Sequence, residues 1–219
     1  MANPNLFIIG APKCGTSSLA YYLNQHPDVG FSRPKEPHYL AQDLDWVGNW
    51  GMHEEGDYFS LFDHGSKYRG DASTWYLYSD MARKKIMSEF PDSKVIVCLR
   101  HPVNFMESLW WHLRSRGRDL SKTLPHALEK ELLVKKGLAD FEPAPFRKAI
   151  LYSESSNYGK YLLPYIENIP PKNLKIVLLE DIATNLEKTM REVFLFLEID
   201  IIELEDASVR NRAFNGDFL

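Results

Sequence analysis

The chain has 219 residues, 44% hydrophobic and 26% charged, an ordinary globular balance and enough length for one domain spanning 1–219 with a sizeable core. A formal net charge of −4 and a pI near 6.0 argue against a general nucleic-acid binder, but leave room for a small anion held by local arginines and lysines. Two cysteines make no disulfide framework, no Cys/His cluster has metal-ligand spacing, and no apolar run approaches the ~18 residues of a membrane span. The start of the chain runs directly into an apolar segment with no signal peptide, so a cytoplasmic protein or an excised catalytic domain is expected.

Residues 5–10 read as a buried strand ending at Gly10. A short loop leads to a helix over 16–25, which His26-Pro27 stops. Residues 29–31 read as a short strand leading to Glu36. Residues 41–66, rich in Trp, Gly, Asp and His, predict an irregular, lid-like segment with a short helix near 58–62. Residues 79–89 fit a helix with a basic surface at Arg83, Lys84 and Lys85, and Pro91-Asp92 turns into a strand at 94–99. Helices follow at 104–116, with Ser108 early on it, and at 121–136, capped by Ser121. Residues 137–152 carry three turn signals and are expected to be mobile. Residues 155–169 are helical apart from Gly159 and Pro164, a strand occupies 174–179, and 185–197 is the last helix. Strands alternating with helices define an α/β class with a mostly parallel sheet flanked by helices. Ligands of such sheets bind beyond the strand C-termini, where Gly10 and Arg100 both fall.

The segment from Leu6 to Leu19 carries the most chemistry. Gly10 and Gly15 permit a tight path and close approach of a phosphate, and the N–H groups opening the next helix, with its dipole, favour an anion. Lys13 adds a mobile positive charge. The loop nearly matches the nucleotide-triphosphatase pattern G-x-x-x-x-G-K-[ST]. Its lysine position is Thr16, however, and the cation has moved inside the turn to Lys13. Cys14, in this electropositive loop, is expected to have a somewhat activated thiol, whereas Cys98 reads as core. Arg100, after an apolar strand, offers a rigid fork for a phosphate dianion, and Ser108 a hydroxyl two turns into the next helix. Arg114, Arg116 and Arg118 read as a solvated helix end, with guidance of an acidic substrate as the alternative. Trp46, Trp50, Trp75, Tyr76, Trp110 and Trp111 fit either stacking on a sugar or apolar body, or core packing.

The loop Pro12-Lys13-x-Gly15-Thr16-x-x-Leu19 resembles the 5′-phosphosulfate loop of sulfotransferases that use 3′-phosphoadenosine-5′-phosphosulfate (PAPS). The strand ending in Arg100-His101-Pro102, followed by Ser108, is similar to that family's 3′-phosphate motif. Lys35-Glu36-Pro37-His38-Tyr39-Leu40 resembles the Lys-Glu-x-His-Phe-Phe stretch of its heparan-sulfate-type branch, and residues 174–197 resemble its late strand and helix. The resemblance implies a P-loop-like three-layer fold and transfer of a sulfuryl group from PAPS to a small-molecule or carbohydrate hydroxyl or amine. It implies Glu36 as the base, with Lys13 and His38 beside it, and Pro12, Lys13, Cys14, Gly15, Thr16, Ser17, Ser18, Arg100 and Ser108 as the cofactor site. No metal, nucleic acid or membrane span belongs to this reading. Asp71-Ala72-Ser73-Thr74-Trp75-Tyr76 departs from the family's Glu-Lys-[ST]-Pro-x-Tyr: its lysine is Ala72 and its proline Thr74. The family's closing Lys-Gly-Arg loop is also missing before Asp217-Phe218-Leu219. A P-loop nucleotide kinase, and a nucleotide-binding module with impaired catalysis, remain the alternatives.

Overall fold

The computed structural model describes residues 3–46, 55–62 and 65–208. Strand β1 (Leu6–Gly10) is buried along its whole length because it lies inside a parallel sheet, covered on both faces. Its neighbours are β3 (Tyr68–Asp71) and β4 (Lys94–Leu99); β2 (Val29–Phe31) and β5 (Leu174–Leu178) form the edges. The order is β2-β3-β1-β4-β5, and every pairing is parallel. Phe7, Ile8, Ile96 and Val97 are fully buried, each burial being worth about 1.5–3 kcal/mol before entropy is subtracted.

Helices connect these strands. They are α1 (Thr16–Leu23), α2 (Glu55–Ser60), α3 (Asp80–Glu89), α4 (Pro102–Ser115), α5 (Leu124–Lys135), α6 (Tyr152–Ser155), α7 (Tyr158–Asn168), α8 (Leu179–Thr184) and α9 (Leu186–Leu197). After β2 and β3 have been laid on one side of β1, the chain crosses to β4 on the other. That switch leaves a crevice beyond the C-termini of β1 and β4, where ligands of such sheets bind. The Ala11 N–H donates to the Cys98 carbonyl at 2.6 Å and ties the loop after β1 to the end of β4.

Several expectations change. Strand β3 was not expected, because Arg69, Gly70 and Asp71 give no apolar alternation; its tight fit under the Phe31 ring, 2.4 Å from where a Gly70 Cβ would sit, is a long-range property. Helix α5 is capped by Thr123, whose hydroxyl accepts from the His126 N–H, while the Ser121 N–H is taken by Asp119. Within 41–66, α2 is no lid: Tyr58 is fully buried and its ring stacks on Tyr39 at 4.4 Å. Residues 137–152 also contribute to the core through Ala144, Phe146, Ala149, Ile150 and Tyr152, where three turn signals had suggested mobility. Among the described residues no helix is long and apolar enough to cross a membrane.

Candidate active site

The phosphate-type loop begins where β1 ends. Gly10 has φ 141°, and a Cβ there would lie 2.3 Å from the Thr74 carbonyl oxygen, so the position accepts no side chain. Gly15 has φ 84° and would place a Cβ 2.7 Å from Leu179 on α8. These two glycines let the loop turn tightly between β3 and α8. Helix α1 then starts at Thr16 without a side-chain cap on its first turn. Its leading N–H groups thus suit an external anion. Thr16 and Ser18 are buried and Ser17 is half-buried; Pro12 is buried beneath the loop. Cys14 points inward, its Sγ 3.7 Å from the Tyr158 hydroxyl, and burial pushes its thiol up to about 12. The expected activated thiol is therefore not found, because desolvation outweighs the nearby positive charges.

Lys13 faces the other way, at φ 62°, with Nζ 3.5 Å from His112 Nδ1 on α4. Burial, then the charges of Arg116 and Arg100, lower the Lys13 ammonium's pKa, while Glu36 opposes them. Burial, with Lys13 and Arg116, brings the His112 imidazole down to about 4. It is neutral at neutral pH, and because an ammonium can only donate, Nδ1 is the acceptor and Nε2 carries the proton. His112 was not singled out from the sequence. The available signal was its place one helical turn after Ser108, on the same face of α4. Ser108 is buried in the second turn of that helix, and half-buried Arg100 precedes it. The next N–H, of His101, donates to Glu180 Oε1 at 3.0 Å and fixes the backbone just beyond the strand end.

Glu36 and His38 lie on the segment after β2, both in the left-handed region at φ 65° and 55°. Such backbone costs on the order of 1–3 kcal/mol per residue and persists only where neighbours enforce it. The enforcing group is Asp71, fully buried at the end of β3. Oδ2 accepts from the Tyr58 and Tyr76 hydroxyls, each at 2.8 Å. Oδ1 accepts from the Ser73 N–H at 3.0 Å and the Ser73 hydroxyl at 2.6 Å. Burial pushes the acid's pKa up, and the hydrogen bonds from Ser73, Tyr76 and Tyr58 act against it in favour of the ionised form. The two hydroxyls so oriented accept in turn: Ser73 Oγ from the His38 N–H at 3.0 Å, and Tyr76 from the Leu40 N–H at 3.2 Å.

The Glu36 carboxylate is held from three directions. Oε2 accepts from the Thr74 hydroxyl at 3.0 Å and faces His38 Nε2 at 3.4 Å. Oε1 takes Lys35 Nζ at 2.6 Å. Burial works to raise this carboxyl's pKa, but the His38 hydrogen bond and Lys35 charge outweigh it and hold the group at about 2. His38 is 7% exposed, its ring tilted against Trp46 at 5.1 Å, and among the described residues its Nδ1 has no partner. The imidazole thus stands behind Glu36 rather than beside open space. Where a lysine occurs in the pattern that residues 71–76 resemble, Ala72 is fully buried.

Of the three arginines, Arg114 lies over the Trp110 ring at 5.8 Å and bonds the Ser121 carbonyl, and Arg118 reaches the Pro143 carbonyl at 3.4 Å. Arg116 is the exposed member whose charge bears on Lys13 and His112. Trp75, Tyr76 and Trp110 are core residues, Trp46 packs on His38 and Phe146, and Trp111 is exposed. Trp50 and the residues from 209 onward, including 217–219, lie outside the described residues.

A parallel α/β sheet with a glycine-bounded loop after its central strand and an arginine at the end of the strand beside it defines a P-loop-like α/β fold. More particularly, the chain belongs to the sulfotransferase family: residues 3–215 match the family model of the sulfotransferase domain. Carbohydrate sulfotransferase 15 of Mus musculus is 26% identical over 249 residues, an alignment covering 90% of this chain and 44% of that protein. The chain thus spans less than half the length of such curated relatives. The human bifunctional heparan sulfate N-deacetylase/N-sulfotransferase 1 is 26% identical over 121 residues, 53% of this chain and 13% of that protein. Among solved structures, a sulfotransferase from Alicyclobacillus acidocaldarius superposes with a TM-score of 0.84 at 27% identity, over 97% of this chain and 87% of that one. Mouse sulfotransferase SULT7A1, solved with PAP, shares the fold at a TM-score of 0.56 and 17% identity, over 93% of this chain and 61% of that one. The family favours the sulfotransferase reading over the nucleotide kinase. Locally, Thr16 stands where the kinase needs lysine, and Glu180, the acidic residue after β5 that a kinase's magnesium would call on, has its carboxylate engaged by the His101 N–H.

Proposed function

We propose that the protein transfers a sulfuryl group from PAPS to a hydroxyl or amine of a carbohydrate acceptor and releases PAP. The observation that carries the reading is the meeting of three loops at one crevice: Lys13 after β1 feels the charges of Glu36 after β2 and of Arg100 after β4. The first turn of α1 and the hydroxyls of Thr16, Ser17 and Ser18 suit the 5′-phosphate. Arg100 and Ser108 suit the 3′-phosphate, which separates PAPS from ATP. The transfer is an in-line displacement. The acceptor oxygen or nitrogen bonds to sulfur as the bond from sulfur to the bridging phosphate oxygen breaks. Lys13 and the loop N–H groups stabilise charge on the departing phosphate, and Glu36 takes the acceptor's proton. His38 and Thr74 orient Glu36 through Oε2. The carbohydrate preference rests on the named relatives.

The test is turnover of labelled PAPS with a panel of carbohydrate and small-molecule acceptors, run with calorimetry of PAP. Glu36→Gln keeps size and hydrogen-bonding shape but accepts no proton at neutral pH. It is expected to bind PAP normally and lose transfer. His38→Ala, run beside it, is expected to retain measurable transfer. If Glu36→Gln turns over normally while His38→Ala is dead, the base is misassigned. PAP binding with no transfer to any acceptor would instead favour a nucleotide-binding module.

A further inference from the structure

The two oxygens of the Glu36 carboxylate are held differently. Oε2 faces two donors fixed by the fold: the hydroxyl of Thr74, a residue 4% exposed, and Nε2 of His38, 7% exposed. Thr74 is pinned where its carbonyl crowds Gly10, and His38 by its backbone bond to Ser73. Among the described residues Oε1 has one partner, the Lys35 ammonium at 2.6 Å, on a flexible side chain 31% exposed to solvent. A partner on a long, partly exposed stem can leave, whereas buried partners set by the backbone cannot leave without local unfolding. Oε1 is therefore the oxygen that an incoming molecule can reach.

We propose that Lys35 is a latch on the base: it occupies Oε1 until an acceptor hydroxyl or amine displaces it, and so denies that oxygen to water while PAPS waits. The inference rests on the sulfotransferase reading above. A carboxylate beside a bound sulfuryl donor is otherwise free to act on water. Water would give up its proton to Oε1, its oxygen would bond to sulfur, and the bond from sulfur to the phosphate oxygen would break. The products are sulfate and PAP, and the cofactor is wasted. With Lys35 in place, Oε1 is filled, and the Lys35 charge adds to the His38 hydrogen bond in holding the carboxyl at about 2, a poor proton acceptor. An acceptor that replaces the ammonium uncovers the oxygen and strengthens the base in one event. Lys35 keeps its protons throughout and forms no covalent bond. It is a positioning residue.

The experiment needs no identified acceptor. Release of labelled sulfate from PAPS alone is followed for the wild type, Lys35→Met, Lys35→Arg and Lys35→Met combined with Glu36→Gln, with PAP affinity and thermal melting measured for each. Lys35→Met is expected to hydrolyse PAPS about tenfold faster than the wild type, a modest part of what a general base contributes. Lys35→Arg keeps the cation and is expected to match the wild type. The double variant is expected to fall back to background, because the hydrolysis runs through Glu36. A side chain with only a structural role would lower every activity, and never raise this one. Normal PAP binding with no rise in hydrolysis in Lys35→Met overturns the latch alone. Failure of every form, the wild type included, to bind PAP overturns the sulfotransferase reading and the latch with it.

Discussion

Tyr76→Phe removes one oxygen atom and two hydrogen bonds, both buried. The hydroxyl donates to Asp71 Oδ2 at 2.8 Å and accepts from the Leu40 N–H at 3.2 Å, and Tyr76 is fully buried. A bond to a carboxylate is worth about 1.5–3 kcal/mol, and a buried N–H left without a partner costs about 1–3 kcal/mol. The two are not strictly additive, so the expected loss is about 2–4 kcal/mol. For a chain of this length each kcal/mol moves Tm by about 2–4 °C, which gives a drop of roughly 5–15 °C. Phenylalanine fills the same ring volume, so the loss reports the hydroxyl rather than a cavity. The second consequence is functional. The Leu40 N–H is one of two backbone anchors holding the segment that carries Glu36 and His38 in left-handed conformations. PAP affinity should survive, because the phosphate loop does not touch this hydroxyl, while sulfuryl transfer falls. Thermal unfolding, PAP calorimetry and turnover at saturating PAPS decide it. A Tm within 2 °C of wild type, or PAP affinity lost together with transfer, refutes the reasoning.

Lys13→Ala should lose on the order of 10²–10³ in transfer rate, as expected for removing one donor to developing charge; near-normal turnover at saturating PAPS would end that role. Arg100→Ala should weaken PAP by about 1.5–3 kcal/mol but leave the analogue without a 3′-phosphate nearly unchanged, and calorimetry with both nucleotides reads the difference. His112 titrates at about 4 in the folded protein, below its ordinary 6.5. The unfolded chain then binds the extra proton first, so this contribution to stability is present above about 6.5 and lost as pH falls toward 4. Urea unfolding at pH 7.0 and 5.0 should show that loss in the wild type and a smaller one in His112→Gln.

The sequence made the tight turn between β1 and α1 legible because that turn is local. Two glycines, a lysine and hydroxyls within nine residues imply close backbone approach and a helix start, and the structure places Gly10 and Gly15 at positive φ with no room for a Cβ. Arg100 was legible for the same reason, standing at the end of an apolar strand. What was hidden depends on contacts far apart in sequence. Asp71 looked like part of an imperfect motif, and only folding brings Tyr58 to it and sets His38 on the Ser73 hydroxyl that it orients. Cys14 was misread because loop charge is visible in a sequence and desolvation is not.

Lys13, Glu36 and His38 share one property that no residue pattern announces: each is a side-chain-bearing residue at positive φ. Three such positions would be costly defects if they were scattered. Here they sit on two loops whose side chains meet at one crevice, and each is held by bonds from a neighbouring element. With the backbone so turned, an ammonium and a carboxylate from different strand ends come within electrostatic reach. Relaxing either loop to ordinary φ would point these groups elsewhere while leaving the sheet intact. The buried Asp71 cluster is what prevents that relaxation on the Glu36 side. A carboxylate 35 residues from Glu36 in sequence therefore belongs to the candidate site as much as the side chains that line it.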